Sequence, residues 1–91
     1  MDDDQRLLLY ELALSAFQGQ MSTISEMLAV ERARDVPDDA RIAALRAQSM
    51  ALYLERHELN SHDVGAMEAV VRKYAAKSER VEEVLQGLRG Q

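Results

Sequence analysis

Residues 7–28 read LLLYELALSAFQGQMSTISEML, and the spacing of this stretch decides the fold. Large apolar residues recur at Leu7, Tyr10, Leu14, Phe17, Met21, Ile24 and Leu28, in alternating steps of three and four. That rhythm is the heptad seam that lays one stripe of a helix against a neighbouring helix. No polar residue interrupts the stripe. The spacing predicts one long helix over 4–33, with the rest of the chain folded back to cover it.

Working outward, Asp2, Asp3 and Asp4 place carboxylates at the helix start, where free backbone N–H groups and the helix dipole favour them. Leu8, Leu9 and Leu12 make the first turns apolar nearly all round, so this end should be buried on more than one side. Leu8, Leu12, Ser15, Gly19 and Ser22 form a second line at helical spacing, small in its lower half and free of charge. A glycine inside a helix costs ~1 kcal/mol relative to alanine, which a closely packed neighbour at Gly19 would offset.

Asp35-Val36-Pro37-Asp38-Asp39 punctuates the chain. Proline suits a first helical turn and carboxylates suit its positive end, so a second helix is expected over 37–58. Ile42, Leu45, Ser49, Leu52 and Tyr53 should face inward, flanked by Ala43, Met50 and Leu54. Asn60-Ser61-His62-Asp63 is the second break, with Asn60 or Ser61 as the expected cap. A third seam follows through Val64, Met67, Val71, Tyr74, Ser78, Val81, Leu85 and Leu88, predicting a helix over 61–87 closed by a left-handed Gly87. Short links between long helices force antiparallel neighbours. The expected architecture is all-α: a three-helix up-down-up bundle over 1–91 with coiled-coil-like packing, two long helices and a shorter central one.

The composition agrees with that class. Ninety-one residues make one domain, with four glycines, one proline and no cysteine. So short a chain hides only about 65% of the surface its unfolded form exposes, which leaves little margin for stability alone. The net charge of −5 argues against nucleic acid, because phosphate binding is driven by Lys and Arg. The acidic start lacks the basic character of a secretory signal, and no apolar run approaches the ~18 residues of a membrane span. A soluble cytoplasmic chain, bound to neither nucleic acid nor membrane, is therefore expected.

Signals for chemistry are sparse. There is no thiol nucleophile and no glycine-rich phosphate loop. His57, Glu58, His62 and Asp63 gather around the second break, but their spacing matches no metal-ligand pattern, and each suits a helix terminus. No metal or other cofactor is expected. The band Arg72, Lys73, Lys77 and Arg80 reads as a solvated face, with Glu68 paired to Arg72 four residues on. Met21, Met27, Met50 and Met67 read as flexible core fillers.

These features point to a non-enzymatic interaction module that holds a partner helix, or a second copy of itself, on leftover apolar surface. Leu8, Leu9, Leu12, Ser15, Gly19 and Ser22 are the expected partner-binding residues. By fold-level analogy, adaptors, secretion chaperones, antitoxins and small inhibitors use acidic helical bundles in this way. The alternative is a small enzyme that resembles the all-helical chorismate mutases in size and class. That resemblance implies an inter-helix pocket where guanidinium groups grip carboxylates, for which Arg6, Arg46 and Arg56 are the candidates. The opening motif of that family, an Arg followed at helical spacing by Ile-Asp and a further Asp, is replaced here by Arg6-Leu7-Leu8-Leu9-Tyr10-Glu11.

Overall fold

A computed structural model of the chain describes residues 1–75 and 79–89, all of whose regular structure is helical. Four helices are described: α1 (Asp3–Arg32), α2 (Asp39–Glu58), α3 (Val64–Tyr74) and α4 (Glu79–Arg89). The expected third helix is thus two helices. No helix among the described residues is long and apolar enough to cross a membrane.

The first helix starts where the carboxylates put it. Asp2 is the cap: its side chain accepts from the Gln5 N–H at 2.8 Å, and the Gln5 side chain accepts from the Asp2 N–H at 3.0 Å. Two orphan donors are satisfied reciprocally in this way. In α2 the cap is Asp38, bonded to the Arg41 N–H at 3.1 Å, so Pro37 lies just outside the helix and not in its first turn. In α3 the cap is Asp63, bonded to the Ala66 N–H at 3.0 Å. Asn60 works one step earlier, accepting from the His62 N–H at 2.8 Å within the turn.

α1 packs lengthwise against both α2 and α3. It therefore buries two stripes where the heptad predicted one. Phe17 and Ile24 of the seam are buried, but so are Leu9, Ala13 and Ala16 on a neighbouring line, while Leu7 at the head of the seam is 49% exposed. Leu45 and Leu52 of α2, Met67, Val70 and Val71 of α3, and Leu85 of α4 complete the core. Tyr53, expected inward, is exposed. The methionines divide: Met67 is buried and Met21 half-buried, whereas Met27 and Met50 are exposed. The resulting molecule measures 54 × 27 × 15 Å with a radius of gyration of 15.9 Å, against about 12 Å for a compact chain of this length. It is elongated and flat.

The break after Tyr74 has a tertiary cause. Ala75 adopts an extended backbone and its N–H makes the last helical bond, to the Val71 carbonyl. The Gln20 side chain of α1 donates to the Tyr74 carbonyl at 3.1 Å, occupying an acceptor that the helix has left open. Ser78, the polar residue of the third seam, lies outside the described residues. Gly87 lies inside α4, and among the described residues no glycine has a positive φ, so the expected left-handed terminus is not formed there.

The α1–α2 turn is held by Glu31, a buried carboxylate. It accepts the Asp38 N–H at 3.1 Å and the Arg34 guanidinium at 3.1 and 3.3 Å. Glu31→Ala should lower the unfolding free energy by about 1–3 kcal/mol, the usual worth of hydrogen bonds to a charged group. Arg34→Ala, removing the largely exposed partner, should cost well under about 1 kcal/mol. Urea midpoints at unchanged slope read both, and equal losses would contradict the role given to Glu31.

Candidate functional site

An extended groove on the described surface runs along the small-residue line of α1. Leu12, Ser15, Ala16, Gly19, Gln20 and Thr23 form one side, and Lys73, Tyr74, Ala75 and Val81 the other, around a volume of about 580 Å³. Of the six residues expected to bind a partner, Leu12, Ser15 and Gly19 meet here. Leu8 is 42% exposed nearer the start of α1, and Ser22 is exposed. Leu9 is a correction: it is 1% exposed, sealed in the core, because the α1 face that carries it packs inward. Among the described residues no atom comes within 4 Å of a Cβ built on Gly19. The fold supplies no close neighbour there among the described residues, and Gly19 lies open on the groove. The Thr23 hydroxyl donates to the Gly19 carbonyl at 3.0 Å, turning its polar group back onto the helix.

Tyr74 forms the far wall and fixes it to the other helices. Its ring lies 5.5 Å from that of Phe17, inclined by 42°, and its hydroxyl donates to Glu55 of α2 at 2.7 Å. The Lys73 ammonium sits 4.9 Å from the centre of the same ring. The neighbouring Tyr74 hydroxyl, and after it the Glu55 carboxylate, hold the Lys73 pKa above its ordinary 10.5. Lys73 therefore stays a cation throughout the neutral range. Sequence reasoning placed Tyr74 in a seam and missed its polar link to Glu55, which no spacing rule announces.

The three arginines offered for an enzyme pocket do not converge. Arg6 donates to the Ser61 carbonyl at 2.9 Å and to Asp3 at 3.4 Å, holding the α2–α3 turn against the start of α1. Arg56 borders a shallow cleft with Tyr10, Leu14, Tyr53, His57 and Leu59. Arg46 is exposed ten residues earlier on α2, about 15 Å along the helix at 1.5 Å per residue. His57 stacks on Tyr53 with ring centres 6.2 Å apart. Among the described residues no three His, Asp or Glu side chains could share a metal ion.

Within the basic band, Arg72 pairs with Glu68 at 3.2 Å as its spacing predicts. Lys77 and the Arg80 side chain lie outside the described residues. Comparison of the chain with protein-family models, with curated proteins and with solved structures finds no match.

Tyr74→Phe keeps the ring contact with Phe17 and deletes only the link to Glu55. It should lower stability by about 1 kcal/mol, read as a fall in thermal midpoint with unchanged helicity. A variant as stable as the parent would mean that Glu55 is equally well served by water.

Proposed function

We propose that the protein is a non-enzymatic interaction module that docks an amphipathic helix of another protein in the groove over Leu12, Ser15 and Gly19. The observation that supports this most is the state of Gly19, an exposed glycine inside a 30-residue helix with open space where a side chain would be. Its cost to the isolated helix is uncompensated within the described residues, and a partner backbone brought close would compensate it. The Leu12 and Val81 side chains offer apolar contact at one level of the groove, and Lys73 offers a cation at its edge. A helix with small apolar anchors and an acidic flank fits that chemistry.

Gly19→Ala and Gly19→Leu separate folding from docking. Alanine meets open space and should raise stability by about 0.5–1 kcal/mol through helix propensity alone. Leucine should keep the fold and fill the groove. In affinity purification from the native cell, a protein recovered with the parent and with Gly19→Ala should be lost with Gly19→Leu and with Leu12→Glu. Equal recovery with all four chains, or no specific protein with the parent, would overturn the reading.

A further inference from the structure

On the side of α1 away from the groove, another cleft lies between α1 and the end of α2, with a volume of about 300 Å³. Tyr10 and Leu14 line it from α1, Tyr53, Arg56 and His57 line it from α2, and Leu59 closes the end. Leu12 in the groove and Leu14 in the cleft stand about 200° apart round the helix, so the two sites occupy opposite faces. The cleft draws together two of the chain's three tyrosines, one of its two histidines and a guanidinium. We infer that it is a binding site for a small aromatic carboxylate, whose ring lies against the tyrosines and leucines and whose charge meets Arg56.

Three features specify that ligand. Tyr53 and His57, one turn apart on α2, stack with their ring planes inclined by 16° and form a flat wall, while the half-buried Leu14 and Leu59 add apolar contact. A planar ring is the shape such a wall accepts. The polar groups, moreover, are uncommitted. Arg6, Arg34 and Arg72 each pair with a carboxylate, but among the described residues Arg56 has no ion pair and the Tyr10 and Tyr53 hydroxyls make no hydrogen bond. A guanidinium fork grips a carboxylate through two parallel hydrogen bonds, and a phenol can add a third. Finally, the local charge suits a single anion. Glu55 and Glu58 of the same turns line a different cleft, with Ala66, Ala69 and Lys73 towards α3. Glu11, beside Tyr10, is exposed and outside the lining. The carbonyl end of α2 disfavours a dense dianion such as phosphate, so one delocalised charge carried on an apolar ring fits better. The chain's net charge of −5 acts only as a weak background, because salt at ~0.15 M screens exposed charges beyond about 8 Å.

The test is a nuclear magnetic resonance titration of the full chain with benzoate to about 50 mM, since a ligand this small is expected to saturate in about the millimolar range. Saturable shifts should centre on the rings of Tyr10, Tyr53 and His57. Benzyl alcohol, with the ring but no charge, and acetate, with the charge but no ring, should each bind about tenfold more weakly or worse. Arg56→Gln should weaken benzoate by about tenfold or more, and Tyr53→Ala should weaken it with unchanged helicity. Arg46→Gln, which removes a guanidinium elsewhere on α2, should leave the affinity as in the parent. Gly19→Leu should do the same, because the cleft does not depend on the groove. An absence of saturation, shifts spread evenly over the surface, or an Arg56→Gln chain that binds like the parent would overturn the inference. Inorganic phosphate binding as tightly as benzoate would also overturn it, since the site would then select charge without regard to a ring.

Discussion

One contact ties three helices together: the ring of Phe17 against that of Tyr74, whose hydroxyl reaches Glu55. Phe17 is fully buried in the middle of α1, so the largest apolar side chain of that helix faces α3, and α3 in turn is tied to α2. α2 and α3 each make their extended packing with α1, and this link joins the two directly. The polar ties at the ends follow the same plan. Arg6 fastens the α2–α3 turn, Gln20 closes the end of α3, and Glu31 fastens the α1–α2 turn.

A single rod lined on two sides makes an economical core but an incomplete one. In a closed bundle each helix shields the flanks of both neighbours, and little apolar surface is left over. Here the molecule is only 15 Å thick in its shortest direction, so several apolar side chains face water. These lie on different elements: Leu7 and Leu8 at the start of α1, Met27 and Val30 near its end, and Met50 and Leu54 on α2. Scattered apolar side chains need no explanation on a small protein. The exceptions are those whose spacing repeats, because a periodic exposed stripe has the geometry of a helix contact.

Much of this was legible in the amino-acid pattern. The long first helix, the turns at 33–38 and 59–63, the acidic start of α1 and the burial of Leu45, Leu52, Met67 and Val71 all follow from periodicity and capping rules, whereas the caps of α2 and α3 are Asp38 and Asp63 and not the residues expected. Three features did not. The heptad at Leu7, Tyr10 and Leu14 promised a single seam, but alanines at 13 and 16 let α3 approach along another line, and small residues carry little weight in a pattern of large ones. The break after Tyr74 falls among good helix formers, and its stabilising partner Gln20 is far away in sequence. Glu31 drew no reading from the sequence, since nothing local reveals that the following turn brings the Asp38 N–H back toward its carboxylate. For the candidate site, the line Leu12, Ser15 and Gly19 was visible as spacing. Its opposite wall depends on where the chain returns, which spacing does not encode.

The distribution of core residues along α1 carries a dynamic consequence. Its last buried apolar residue is Ile24, and α2 offers none before Leu45, so the far end of this helical pair is held by the half-buried Leu28 and Ile42 and by the Glu31 carboxylate. Cooperative units are drawn where apolar packing is dense, and regions without it open at lower free energy. Amides of the final turns of α1 and the opening turn of α2 would therefore trade hydrogen for deuterium well before those around Phe17. The molecule would breathe from one tip while its centre stayed shut.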